Sequence, residues 1–147
     1  MIDSTPAEVS NQYIQFLCLC IEKFQEYDLA PFLLPHDRGD VKLACKINET
    51  LNDSVEVIRE DNAAKIKGII SKTCLVVSAR FHGVVSSLSQ GIPCISTGWS
   101  HKYRELMLNY ECEEFIIDIS STKNIESRLE KLLQLATSAE TRPALQH

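Results

Sequence analysis

The feature of this sequence that most limits its fold is a regular alternation between short apolar runs and longer segments with helical periodicity. The run at residues 74–78 contains no charged side chain, as expected of a parallel strand covered on both faces, and residues 94–96 are typical of a further short strand. Between the runs, apolar residues recur at a spacing of three or four, which indicates helices that bury one face. Short connections join the two kinds of segment, so the pattern predicts βαβ units and an α/β fold built on a doubly wound parallel sheet.

The first predicted element is a helix, whereas a doubly wound domain usually begins with a strand. We therefore expect the chain to be the C-terminal half of a longer protein. The predicted helices span residues 11–27, 40–51, 61–72, 82–89, 102–110 and 125–136, and the predicted strands span residues 31–35, 54–58, 74–78, 94–96 and 115–119.

The 147 residues are enough for one domain with a substantial core, and no linker or internal repeat divides them. We expect a polar N-terminal tail over residues 1–10, one domain over residues 11–137, and a frayed C-terminal tail over residues 138–147. No apolar run approaches the roughly 20 residues that span a bilayer, and the polar start does not resemble a secretory signal. These features predict a cytoplasmic protein without a transmembrane segment.

Charge is unevenly distributed along the chain. The formal net charge is −5, which argues against nucleic acid as a partner, because nucleic-acid binding needs many Lys and Arg residues. From residue 62 to residue 104, however, there is no Asp or Glu, and the segment holds six Lys and Arg residues. The solvent-exposed face of a helix is expected to carry Lys65, Lys67 and Lys72. The cations that follow predicted strand ends are expected to attract an anionic ligand.

The cysteines are expected to be reduced and structural. Most of the six lie inside apolar runs, where a thiol behaves as a small hydrophobic side chain. Without a secretory signal the reduced state is the default. No Cys-x-x-Cys pair occurs, so no metal site is predicted from the cysteines.

A second group of polar residues, His36, Asp37 and Asp40, resembles a metal-binding trio only superficially. A turn followed by a helix with Asp40 as its N-cap explains it better, and Asp61 is a plausible N-cap for the helix that follows.

The candidate functional residues follow two predicted strands at the point where each strand ends. Arg80, Phe81, His82 and Gly83 come after the run 74–78, where the chain turns into a helix. The free N–H groups and the dipole of a helix N-terminus favour an anion there. Gly83 would let a phosphate or carboxylate approach the backbone closely.

The next strand, 94–96, leads into a second polar turn that contains Trp99, His101 and Lys102. Ligands bind at the carboxyl ends of strands in open α/β sheets. If the two strands are neighbours, Arg80, His82, His101 and Lys102 come within reach of one ligand. Trp99 either lines the same crevice or packs within the loop.

Residues 76–95, followed by Trp99, Lys102 and Tyr103, resemble the polysaccharide pyruvyl transferase family. Members carry an Arg-x-His at a strand-to-helix turn, then a helix of small residues, a Gly-Val/Ile-Pro turn, a strand and a Lys. In this sequence these elements are Arg80 with His82, and Gly91-Ile92-Pro93. Pro35-His36-Asp37, Asp40 and Glu60-Asp61 also resemble upstream elements, so the resemblance covers about residues 30–120.

The resemblance implies a Rossmann-like three-layer fold similar to the C-terminal domain of a GT-B-type transferase. It implies transfer of pyruvate from phosphoenolpyruvate to two hydroxyls of a cell-surface saccharide, giving a ketal and releasing phosphate. Arg80 would bind the donor anion and His82 would be the general acid, which an imidazole suits. Phe81, Gly83, His101 and Lys102 would line the substrate site.

The implied partners are phosphoenolpyruvate, as donor substrate, and a saccharide acceptor. No cofactor and no metal are expected. Further contacts would come from an N-terminal domain or from a second copy in a homo-oligomer.

Two alternatives stay open at the level of sequence. The first is a GT-B-type glycosyltransferase domain that binds a nucleotide sugar at the same helix N-terminus, although residues 62–104 contain no carboxylate that could recognise its ribose. The second is a truncated, non-catalytic domain that assembles with a partner, and the helix at the start of the chain favours it.

Overall fold

The computed structural model describes residues 7–98, 100–120 and 123–138. The chain divides into two compact units, Met1–Ala63 and Ala64–His147. The sequence predicts a single domain over residues 11–137, and the division into compact units does not test that prediction. Trp99 and the C-terminal tail from residue 139 onward lie outside the described residues.

The first unit contains one small parallel sheet and two helices. Strand β1 (Phe32–Leu33) pairs with strand β2 (Glu56–Val57), with Phe32 opposite Glu56 and Leu33 opposite Val57. Helix α1 (Ala7–Glu26) precedes β1, so the last four residues of the predicted polar tail are helical. Helix α2 (Arg38–Thr50) connects the two strands. One cluster of buried core residues in this unit contains Cys18, Ile21, Leu43, Ile47 and Val55.

The start of α2 explains the group His36, Asp37 and Asp40. The N-cap is Asp37 and not Asp40: the backbone N–H of Asp40 donates to Asp37 Oδ1 at 2.9 Å. Asp40 Oδ2 in turn accepts the backbone N–H of His36 at 3.0 Å. This reciprocal pair satisfies donors that a helix start leaves open. The two carboxylates therefore have a local structural role.

Among its described residues, the second unit contains a second pair of parallel strands and four helices. Strand β3 (Val76–Ser78) lies beside strand β4 (Cys94–Ser96), with Ser78 opposite Ser96. On the other edge of β4, Ser96 forms a single parallel bridge with Ile116. The helices of this part are α3 (Ala63–Ser71), α4 (Phe81–Leu88), α5 (His101–Asn109) and α6 (Ile125–Thr137).

The described elements confirm the α/β class and the parallel pairing. They form six helices and two separate two-stranded sheets. β4 is buried along its whole length, whereas β3 is only half-buried. The prediction that both faces of β3 are covered is therefore wrong for the described part of the chain.

The predicted strand over residues 115–119 is also wrong. A short 3-10 turn spans Glu113–Phe115, and only the bridge at Ile116 remains of the strand. Arg128 accounts for part of this difference, because its Nη2 donates to the backbone carbonyls of Glu114 and Ile116, both at 3.1 Å. In a strand, these carbonyls would instead accept hydrogen bonds from the neighbouring strand.

Asp61 is not the N-cap that the sequence predicted. Helix α3 begins at Ala63, two residues later. The carboxylate of Glu60 instead accepts the backbone N–H groups of Asp61 and Asn62, at 3.1 and 3.0 Å. Among the described residues, no helix is both long and apolar enough to cross a membrane.

Of the cysteines in the apolar runs, Cys18, Cys20 and Cys94 are buried as predicted, whereas Cys74 is only half-buried. Outside those runs, Cys112 is buried and Cys45 is exposed. Burial raises the pKa of Cys94 to about 12, from its ordinary value of 9.0. The folded protein therefore holds this thiol proton more tightly than the unfolded chain does. The stability that follows is complete below pH 9 and is lost as the pH rises from 9 towards 12.

We expect the free energy of unfolding to fall above pH 9 by on the order of 1 kcal/mol per pH unit for the Cys94 thiol. Urea unfolding at pH 7.5 and pH 10.5 measures this loss. Cys94→Ala should reduce the loss, while Cys45→Ala, at an exposed position, should leave it as in the wild type. An equal loss in all three proteins would contradict the assignment to Cys94.

Candidate functional site

The turn between β3 and α4 is fixed around Arg80. Ser78 Oγ accepts the backbone N–H of Arg80 at 3.1 Å and donates to the backbone carbonyl of Arg80 at 3.2 Å. Arg80 has an extended backbone and is the N-cap residue of α4, and its carbonyl accepts the N–H of Val84 at 3.1 Å. The arginine therefore sits at the positive end of a helix, where an anion is favoured.

Gly83 has a packing reason to be glycine. A Cβ at this position would lie 2.5 Å from Ser78 Oγ, which is too close, and 3.3 Å from Ser78 Cβ, which is a tight contact. The missing side chain thus brings α4 against the end of β3. Access of an anion to the Gly83 backbone stays a prediction, because the contact seen at this glycine is with Ser78.

The turn after β4 lies next to the turn after β3, as the sequence predicted for neighbouring strands. The backbone N–H and the Oγ1 of Thr97 both donate to the carbonyl of Ser78, at 3.1 and 3.4 Å. Two hydrogen bonds therefore join the ends of the two strands. Helix α5 begins four residues later, at His101.

An aromatic and cationic cluster links the first turn of α5 to the first turn of α4. The hydroxyl of Tyr103 donates to the carbonyl of Ala79 at 2.9 Å. The rings of Tyr103 and Phe81 meet edge to face, with centroids 5.5 Å apart and planes at 84°. Lys102 Nζ lies 5.0 Å from the Phe81 ring centroid and 5.5 Å from that of Tyr103, within the range of cation–π attraction.

The two candidate histidines have different surroundings. His82 is exposed in the first turn of α4, with its ring 6.3 Å from that of Phe81. His101 is also exposed, and its Nε2 lies 2.9 Å from Glu105 Oε1 on the same helix. Contacts in the structure therefore connect Phe81 and Lys102 with the backbone of Arg80. His101 instead pairs with the carboxylate of Glu105, a partner that the sequence did not predict.

Sequence reasoning missed three residues at these turns. Tyr103 entered only as part of a family pattern, although its contacts hold the β3–α4 turn. The hydroxyls of Ser96 and Ser100 are buried and have no hydrogen-bond partner in the described part of the chain. A buried hydroxyl without a partner is costly, so these two groups offer hydrogen bonds at the end of β4. The N-cap spacing of Ser100 before α5 was the one available signal.

The charges at these turns suit an anionic ligand. Arg80 and Lys102 come from a segment, residues 62–104, that contains no carboxylate. An arginine side chain can bind two oxygens of a phosphate or carboxylate at once. An open groove of about 450 Å³ at the start of α6 is different, because its lining includes Glu126 and Glu130. Carboxylates give that groove the wrong sign of charge for an anion.

Comparison with known proteins gives one match. A family model described as polysaccharide pyruvyl transferase matches residues 2–101, about two-thirds of the chain. The matched span contains β3, α4 and β4, and it includes both Arg80 and His82. No curated protein matches the chain, and no solved structure matches it either. The family match confirms the resemblance drawn from the sequence.

Proposed function

The chain belongs to the polysaccharide pyruvyl transferase family, and we propose that it provides the site that binds phosphoenolpyruvate in transfer of pyruvate to a saccharide. One observation carries this proposal: Arg80 is held at the N-terminus of α4 by Ser78, in a carboxylate-free segment. We also propose that the parallel β3–α4–β4 unit is part of a Rossmann-like three-layer domain of the GT-B type.

The proposed reaction forms a ketal and releases phosphate. His82, as the general acid, gives a proton to the C3 methylene of phosphoenolpyruvate, which leaves an oxocarbenium centre at C2. One saccharide hydroxyl adds to C2 and gives up its proton. The bond from C2 to the phosphate oxygen then breaks, phosphate leaves with the electron pair, and a second hydroxyl adds to C2 and loses its proton.

The other residues are assigned roles around the donor. Arg80 binds the phosphate or carboxylate of the donor with two parallel hydrogen bonds, which a Lys cannot reproduce. Lys102 adds positive charge from the start of α5, where the rings of Phe81 and Tyr103 hold its ammonium group. Gly83 keeps α4 close to β3, and His101 faces the acceptor side. An N-terminal domain or a second copy supplies the remaining contacts.

Calorimetric titration of the full chain with phosphoenolpyruvate tests the proposal. Loss of a charged hydrogen-bonding partner costs about 1.5–3 kcal/mol, so Arg80→Ala should raise the Kd roughly 10- to 150-fold. Arg80→Lys keeps the charge without the two-pronged geometry, and its Kd should lie between those of the wild type and Arg80→Ala. Lys72→Ala removes one exposed cation just beyond α3 and is the control for net charge.

Three outcomes would contradict the proposed donor site. Equal binding by the wild type and Arg80→Ala would remove Arg80 from it. Binding of uridine diphosphate in place of phosphoenolpyruvate would favour the glycosyltransferase alternative. Binding of neither compound would favour a domain that functions only with a partner.

A further inference from the structure

Tyr103 contacts the residues on both sides of Arg80. Its hydroxyl donates to the carbonyl of Ala79, at 2.9 Å, and its ring packs edge to face against Phe81. The backbone N–H and carbonyl of Arg80 are themselves bound to Ser78 Oγ. The peptide that carries the arginine is therefore fixed from β3 by Ser78 and from α5 by Tyr103.

Tyr103 is in turn held firmly in place. It is 8% exposed, and its backbone N–H donates to the Ser100 carbonyl at 3.1 Å. A Cβ on Gly98 would collide with the ring carbons of Tyr103, so the ring lies directly against the Gly98 backbone. A buried tyrosine hydroxyl normally requires a partner. The partner in this protein is the backbone of the turn that leads into Arg80.

We propose that Tyr103 is a positioning residue for Arg80, which sets the direction of the guanidinium without touching the donor. This inference rests on the proposed function, in which Arg80 binds the anion of phosphoenolpyruvate. The same two rings hold the Lys102 ammonium group, so one aromatic pair places both cations of the site. Binding of the donor at α4 is thereby coupled to the conformation of the turn after β4.

Tyr103→Phe tests the proposal because it removes the hydrogen bond to Ala79 and keeps the ring against Phe81 and Gly98. A hydrogen bond contributes about 0.5–1.5 kcal/mol, so the Kd for phosphoenolpyruvate should rise roughly 2- to 10-fold. Tyr110→Phe is the matched control, since Tyr110 is half-buried at the other end of the same helix. It should leave the Kd unchanged.

The second readout needs no ligand and reports on Arg80 itself. In the free protein, the Nε–H resonance of Arg80 and the amide exchange of Arg80 and Val84 are followed by NMR. If Tyr103 positions Arg80, the Tyr103→Phe substitution broadens or shifts that resonance and accelerates exchange at the two amides. Exchange within β4 stays as in the wild type, and Tyr110→Phe changes none of these signals.

Two results would overturn the proposal. In one, Tyr103→Phe lowers the urea midpoint while the Kd and the Arg80 resonance stay as in the wild type, which is the signature of a purely structural residue. In the other, Tyr110→Phe changes the Kd and the resonance as much as Tyr103→Phe does. If the wild type itself fails to bind phosphoenolpyruvate, the proposed function fails. The Arg80 resonance alone then tests the positioning role. A change of that resonance in Tyr103→Phe supports the role, and no change overturns it.

Discussion

His82→Gln is expected to lower the kcat of pyruvyl transfer by about 10²- to 10⁴-fold, the usual contribution of a positioned general acid. Glutamine keeps a hydrogen-bonding side chain of similar reach but does not give up a proton to carbon. His82 is exposed in the first turn of α4, two residues after Arg80. The prediction rests on the proposed function, in which His82 protonates a donor bound at Arg80.

The measurement is phosphate release from phosphoenolpyruvate, with a panel of p-nitrophenyl glycosides as acceptors. The Kd for phosphoenolpyruvate should stay within about twofold of the wild type, because the substitution removes an acid and not an anion contact. His36→Gln is the control, since the His36 side chain is exposed and its backbone N–H bond to Asp40 survives the change. A kcat unchanged by His82→Gln would remove His82 from the proton transfer.

Leu133→Ala is expected to lower the free energy of unfolding by about 3–5 kcal/mol. Leu133 is fully buried on α6, so truncation removes apolar contacts and leaves a cavity. Leu108→Ala is the same substitution at a leucine that is 56% exposed on α5, and it should cost less than about 0.5 kcal/mol. Urea unfolding of the two variants and the wild type gives both values.

Small domains are stable by only about 5–15 kcal/mol, so this substitution removes a large share of the stability of the folded state. Equal midpoints for Leu133→Ala and Leu108→Ala would contradict the assignment of Leu133 to the core. Circular dichroism before denaturant is added shows whether the Leu133 variant starts from a folded state.

The elements with strong periodicity were predictable from the sequence. On α6, helical spacing predicts burial of Leu129, Leu132 and Leu133, and all three are buried in the structure. The strand at residues 94–96 is predicted with the same bounds that it has in the structure. Both predictions use local rules. The buried face of a helix and an apolar strand can be recognised from the segment itself, without knowledge of the neighbouring elements.

The features that depend on contacts between distant residues were not predictable. Nothing in the spacing shows that Tyr103 donates to the carbonyl of Ala79, which is 24 positions earlier. The strand expected at residues 115–119 is replaced partly because Arg128, on another helix, binds the Glu114 and Ile116 carbonyls. The pairing of His101 with Glu105 follows helix geometry, but an isolated sequence does not show which of several neighbours a histidine contacts.

The site residues also divide into those that local sequence pattern predicts and those that depend on contacts between distant residues. The positions of Arg80 and His82 at a strand-to-helix turn follow from local pattern and from the family resemblance. The hydrogen bonds that hold the turn, from Ser78 and from Tyr103, come from strand pairing and helix packing. The roles of Arg80 and His82 stay predictions from the sequence, and the structure adds the groups that hold the turn around Arg80.

The contact between Ser78 and Gly83 also restricts how this site can change during evolution. The Ser78 side chain occupies the space that a Cβ on Gly83 would need, and its hydroxyl holds both backbone polar groups of Arg80. A side chain at position 83 therefore displaces the Ser78 hydroxyl, and that displacement breaks its hydrogen bonds to Arg80. The effect of a substitution at position 83 therefore depends on the residue at position 78, so the two positions are expected to be epistatic.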